Sequence, residues 1–157
     1  CEATKELDKE GLSDKFEVFI TLSGTENSYS KMLKTKYSNI SNLNFIGLQS
    51  RKKLYEYYSK ADCLVFMSKL ETWGMPITEF KQTGKAIISA DLPYAHETAK
   101  KYNVVSYVNP DDWLVLSEQM KKVIFSNKLS YKDDNQSVDS EFPNFNNWNE
   151  LVNNIFD

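Results

Sequence analysis

Glu71 and Glu79 are the side chains around which chemistry can be organised. Between them stands Thr72-Trp73-Gly74-Met75-Pro76-Ile77-Thr78, so one acid lies in a loop and the other early in a helix. The apolar run Cys63-Leu64-Val65-Phe66-Met67 predicts a buried strand that stops at Ser68. Pro76 has its φ preset for a first helical turn and no N–H to leave unpaired. Helical sequence runs from Ile77 to Thr83, and Gly84 is its C-terminal stop. Strand, glycine-containing loop and helix N-terminus aim free backbone N–H groups and the positive end of the helix dipole at one spot, which favours phosphate. An acid on either side suits a ligand with both phosphate and hydroxyl groups, and a nucleotide-sugar is such a ligand. The plainer alternative is punctuation. Gly and Pro are common at strand-to-helix turns, and a Glu near a helix start contributes at most about 1 kcal/mol through the dipole.

The elements that must position these residues alternate along the chain. Residues 1–11 are helical in pattern, with Ala3 and Leu7 inward, and 16–22 form a strand closed by Ser23-Gly24. Over 28–38, Tyr29, Met32, Leu33 and Tyr37 share one helical face; 43–47 is a short strand; Ser50 caps a helix carrying Leu54, Tyr58 and Ala61. After the two-acid motif come a strand over 86–90, a helix marked by Ala95, Ala99 and Tyr102, and a strand over 104–108. Asp111 or Asp112 then caps a helix with Trp113, Leu116, Met120 and Ile124 inward. This alternation predicts an α/β fold, a parallel sheet with helices on both faces, whose ligands bind beyond the C-terminal strand ends. Gly24, Gly47 and Gly74 fall at that edge. Residues 1–128 make one domain. Residues 129–157 read as a polar linker followed by a short helix with Trp148, Leu151, Val152 and Ile155.

Composition sets the bounds. A chain of 157 residues, 41% hydrophobic and 26% charged, buries one core. The net charge of −3 and the scattered basic residues argue against nucleic acid, and Arg51-Lys52-Lys53 reads as a solvated helix start. Cys1 and Cys63 give no disulfide framework, which fits a reducing compartment, and no apolar run is long enough to span a membrane. Neither Gly-x-Gly-x-x-Gly nor a phosphate-loop Gly-Lys-Ser/Thr occurs, which argues against dinucleotide oxidoreductases and standard ATPases. His96, the sole histidine, reads as an exposed capping residue at a helix start, and Tyr55, Tyr57 and Tyr58 as helix faces rather than a stacking platform. Trp73 either shapes a sugar pocket or packs the loop. Asp111-Asp112 is capping chemistry rather than a metal site.

A Glu, seven residues and a second Glu, with Trp73-Gly74 after the first and Gly84-Lys85 beyond the second, resembles the donor-site signature of retaining GT-B glycosyltransferases, the glycosyl transferases group 1. Phe45-Ile46-Gly47-Leu48, the lead from Leu54 to Ala61-Asp62-Cys63, the segment Asp91-Leu92-Pro93-Tyr94-Ala95-His96-Glu97 and the turn Asn109-Pro110-Asp111-Asp112 are similar to family segments in the same order. The likeness covers residues 16–125, and the Trp148 helix resembles the family's C-terminal helix. It implies the C-terminal, Rossmann-like, donor-binding half of such an enzyme. The resemblance implies that the first strand of that half, with its basic diphosphate-binding loop, is missing from the chain, which would leave a vacancy between the Phe16 and Cys63 strands.

Carried across by position, the resemblance implies Glu79 on the ribose hydroxyls and Glu71, the catalytic-site acid, on donor-sugar hydroxyls. Backbone N–H groups of Thr72, Trp73, Gly74 and Met75 would hold the diphosphate and sugar, and Leu48 and Gln49 would lie against the base. No metal and no cofactor is implied beyond the nucleotide-diphosphate sugar as substrate. The implied setting is bacterial surface-polysaccharide synthesis in the cytoplasm. A saccharide or lipid-linked acceptor would be met through the missing N-terminal half, which also allows peripheral contact with the inner face of the membrane. The chain alone is then expected to be inactive. Two other readings are a GT-B-like nucleotide-sugar epimerase, which needs further acid–base groups, and a flavodoxin-like interaction module. Against the module, the Phe16 strand ends in Leu22-Ser23-Gly24 and the Cys63 strand in Met67-Ser68-Lys69, without the acidic cluster such modules carry.

Overall fold

Side-chain caps and apolar periodicity set the elements of residues 1–126, the part of the chain that the computed structural model describes. In order they are α1 (Glu2–Lys9), β1 (Val18–Ile20), α2 (Ser28–Lys36), β2 (Leu43–Phe45), α3 (Arg51–Lys60) and β3 (Cys63–Phe66). There follow α4 (Met75–Phe80) with a 3₁₀ turn (Lys81–Thr83), β4 (Ala86–Ala90), α5 (Pro93–Thr98), β5 (Val105–Val108) and α6 (Trp113–Ser126). The Asn27 side chain accepts from the Ser30 N–H while Ser30 Oγ accepts from the Asn27 N–H, a reciprocal capping box for α2. Ser50 Oγ accepts from the Lys53 N–H to start α3, and Asp112 Oδ1 accepts from the Val115 N–H to start α6. The expected tail over 129–157, with its linker and Trp148 helix, lies outside the described residues.

Among the described residues all strand pairs are parallel, in two sheets of order β1-β2 and β3-β4-β5. In β4, Ile88 stands opposite Val65 on one side and Ser106 on the other, and all five residues are buried. One helical layer packs Ala3 and Leu7 of α1 and Met120 and Val123 of α6 against Ala86, Ile88 and Val108. The other packs Tyr58 of α3, Ile77 and Phe80 of α4 and Ala95 of α5 against Ile87 and Val105. Period-two alternation along β4 and β5 thus serves both layers. Around Tyr37, Ile40 and Leu43 a third cluster seats α2 on β1 and β2.

Among the described residues no strand pairs β1 with β3. Side chains carry the connection instead. Val18 of β1 and Cys63 of β3 pack on the same cluster, while Tyr57 of α3 lies 5.3 Å from the Phe19 ring. Glu2 of α1 accepts hydrogen bonds from Lys36 Nζ (2.6 Å) and the Tyr37 hydroxyl.

The division corrects one expectation: β3 is not a buried strand. Its Val65 is 39% exposed and its other residues half-buried, because one edge and part of one face lack a covering neighbour. The strands expected over 16–22 and 43–47 keep only three ladder residues each, although Ile46 N–H to Ile20 O and Gly47 N–H to Leu22 O continue the pairing outward. On α2 the buried stripe is Ser30, Leu33 and Tyr37, with Tyr29 and Met32 exposed, because the capping box turns Ser30 inward. Trp113 of α6 is also exposed; the buried face begins one turn later, at Leu116 and Ser117. Among the described residues no helix is long and apolar enough to cross a membrane.

Ile88→Ala should cost about 2–5 kcal/mol in urea unfolding, the usual range for emptying a fully buried aliphatic site. Val65→Ala, at the open edge, should cost under about 1 kcal/mol.

Candidate functional site

The loop from Ser68 to Gly74 leaves the C-terminal end of β3 and enters α4 through Gly74, whose φ of 74° is left-handed. Met75 is the first helical residue and Pro76 the second. The Ile77 N–H donates to Gly74 O at 2.9 Å, whereas the N–H groups of Thr72, Trp73, Gly74 and Met75 bond no other described residue. Since α4 has only six residues before it tightens into the 3₁₀ turn, its dipole is a smaller resource than expected. Among the described residues the four N–H groups at 72–75 are thus left without a protein acceptor, although Gly74 itself is buried.

Helix α5 holds this loop in shape. The Tyr94 hydroxyl donates to Ser68 O at 2.7 Å, and Thr98 Oγ1 donates to Trp73 O. A Cβ built on Gly74 would lie 3.1 Å from the Tyr94 ring, so close approach as well as backbone conformation demands glycine there. Trp73 Nε1 donates to Thr78 Oγ1 at 3.1 Å, which ties the indole to α4 although the residue is exposed. Tyr94 and Thr98 escaped the sequence reading. The available signal was their four-residue spacing on one face of a helix that follows Pro93.

The two acids stand in different surroundings. Glu71 is exposed on the loop and has no hydrogen-bond partner among the described residues; the Tyr94 phenol is pushed up by burial, with the Glu71 charge adding to it. The Glu79 side chain is 16% exposed, and its Oε1 accepts from the Tyr55 hydroxyl at 3.3 Å and Arg51 Nη2 at 3.4 Å. Arg51 and Tyr55 are thus more than the solvated helix start and helix face that their sequence suggests. Tyr57 and Tyr58 do serve as packing faces, against Phe19 and Phe80 respectively. Across the edge, at the end of β2, Leu48 is 93% exposed. Gln49 Nε2 folds back to Ile46 O (2.5 Å) and Gly47 O (3.3 Å). Of the expected site residues, Glu71, Thr72, Trp73, Gly74, Met75 and Glu79 occupy one loop–helix unit, and Leu48 and Gln49 a neighbouring loop at the same end of the strands.

The remaining strand ends carry charge pairs. Lys69 after β3 pairs with Asp111 after β5. His96 Nε2 lies 2.6 Å from Asp91 Oδ1 after β4, and its ring stacks on Tyr107 at 3.8 Å. His96 therefore does not cap a helix start; it sits in the last turn of α5, where the Asp91 carboxylate and a ring face take it up. Asp112, not Asp111, is the cap of α6. After β1, the Glu26 carboxylate accepts from the N–H groups of Ser23 (2.5 Å), Gly24 (3.0 Å) and Thr25 (3.1 Å), which holds its carboxyl down at about 2.

Tyr94→Phe should cost about 1 kcal/mol in chemical denaturation, and Gly74→Ala more, since it adds left-handed strain to the ring contact. Glu26, lowered from 4.5 to about 2 in the fold, contributes stability that is complete above pH 4.5 and is lost as pH falls toward 2. Melting curves of Glu26→Gln across that interval should fall less steeply with acid than those of the wild type.

The family description Glycosyl transferases group 1 matches residues 1–136, most of the chain. No curated protein matches it. A match of that extent, on parallel strands flanked by helices with the two acids on one loop–helix unit, means that the chain belongs to the glycosyl transferases group 1 family.

Proposed function

We propose that this chain is the donor-binding domain of a retaining glycosyltransferase that takes a sugar from a nucleotide-diphosphate sugar. The observation that carries this reading is the Glu79 carboxylate, sheltered and held through Oε1, beside a loop with four open N–H donors. Glu79 receives ribose hydroxyls, and the exposed Glu71 receives hydroxyls of the donor sugar. The N–H groups of Thr72, Trp73, Gly74 and Met75 hold the diphosphate, and Leu48 and Gln49 flank the base. Pro76 supplies no donor, so the diphosphate sits before it.

In the reaction the bond between the sugar's anomeric carbon and the diphosphate oxygen breaks. The acceptor hydroxyl oxygen bonds to that carbon from the same face, and its proton passes to the departing phosphate. Negative charge grows on the leaving diphosphate, and fixed N–H dipoles favour it without reorganising. No metal is required in this scheme. The acceptor, a saccharide or lipid-linked saccharide of a bacterial surface polysaccharide, is met by a second half of the GT-B arrangement on the cytoplasmic side of the membrane.

Calorimetric titration of the intact protein with UDP, GDP and ADP, without metal, tests the reading. One nucleotide should bind selectively and Glu79→Ala should weaken it at least about tenfold, the effect of losing hydrogen bonds to a charged acceptor. Glu71→Ala should lower turnover with little change in nucleotide affinity. Wild-type behaviour in both variants would sink the assignment of the acids.

A further inference from the structure

Arg51, Tyr55 and Glu79 form a hydrogen-bond chain with a fixed direction. Arg51 is a donor only, and its Nη2 and Nε lie 3.1 and 3.3 Å from the Tyr55 oxygen. With its lone pairs facing those N–H groups, the Tyr55 hydroxyl turns its proton toward Glu79 Oε1, 3.3 Å away. Arg51 Nη2 reaches the same oxygen at 3.4 Å. Both donors thus engage Oε1, while Oε2 makes no hydrogen bond to any described residue. The carboxylate is left with one oxygen held by protein and the other open to a ligand.

Packing fixes where the phenol stands. Tyr55 meets Tyr58 edge to face with ring centres 6.0 Å apart, and Tyr58 meets the fully buried Phe80 edge to face at 5.3 Å. A ladder of three rings therefore runs from the core to the surface, and its outermost member carries the hydroxyl. Phe80 adjoins Glu79 in α4, so the ladder also ties α3 to the helix that bears the acid. The contacts to Oε1 are long, and a ligand that displaces water from Glu79 gives them reason to shorten.

We propose that Tyr55, oriented by Arg51, is a positioning residue for Glu79 and thereby sets the site's preference for nucleotides with free ribose hydroxyls over those without. The inference rests on the nucleotide-sugar reading and deepens it. Tyr55 touches no ligand; it acts by fixing which carboxylate oxygen is taken up by protein and which stays open. Losing the phenol should therefore matter only when the ligand carries the hydroxyls that Glu79 receives. Coupling between a protein group and a ligand group of this kind is what a double-mutant cycle isolates.

The test is calorimetry on the intact protein with UDP, GDP and ADP and the 2′,3′-dideoxy form of whichever binds, using wild type, Tyr55→Phe and Arg51→Met. Tyr55→Phe keeps the ring ladder, and Tyr55 is itself 41% exposed, so folding is retained and thermal melting verifies it. Wild type should prefer the ribonucleotide. Tyr55→Phe should weaken ribonucleotide binding about tenfold while leaving the dideoxy form within about twofold, collapsing the preference. Arg51→Met should move the same ratio in the same direction by less. Equal weakening of both ligands, or no change in either, overturns the positioning role while the nucleotide site stands. Absence of binding to all three nucleotides by the folded wild type overturns the site reading and this inference together.

Discussion

The three-stranded sheet and both helical layers on it depend on β4 being covered on both faces and paired on both edges. A strand in that position must be apolar or small throughout, and Ala86-Ile87-Ile88-Ser89-Ala90 is. Its small residues let helices approach closely, and the alternation of Ile87 and Ile88 gives each helical layer one large side chain to grip. Helix α5 is seated through Ala95 and Ala99 in the layer that grips Ile87. Because α5 carries Tyr94 and Thr98, the shape of the two-acid loop follows from how that layer sits on β4.

Much of this was legible beforehand, and the reasons are local. The boundaries of β4, the Ser50 cap and the Gly84 stop are written in single residues whose chemistry leaves little choice. The strand β3 misled because an apolar run looks the same whether one edge is paired or both. Tyr29 and Met32 misled because a helical stripe can be drawn through several sets of residues, and here a cap chose between them. At the site, the positions of Glu71, Gly74 and Pro76 were readable from spacing. The partners of Glu79 were not, since Arg51 and Tyr55 arrive from a helix 24–28 residues away in sequence. Non-local contacts of that kind leave no periodic trace.

The contrast between the two acids is itself informative. Both are carboxylates on one loop–helix unit, yet one is sheltered and anchored and the other is exposed and unrestrained. On the proposed reading this separates recognition from transfer. The group that selects the nucleotide already has protein partners before the ligand arrives, whereas the group that meets the sugar has none among the described residues. Backbone donors between them are held by Tyr94 and Thr98, which pull on carbonyls and leave the N–H groups open.

The division of the sheet has a consequence for how the molecule breathes. Among the described residues the β1–β2 portion is joined to the rest by side-chain contacts through α1 and α3 and not by a ladder of backbone bonds. Among the described residues no strand pair would have to break for the two portions to part. Leu48 and Gln49 follow β2, while Glu71 and Glu79 belong to the loop and helix after β3. On the proposed reading a nucleotide-sugar would touch both portions, and its binding would then be thermodynamically linked to the cohesion of the domain.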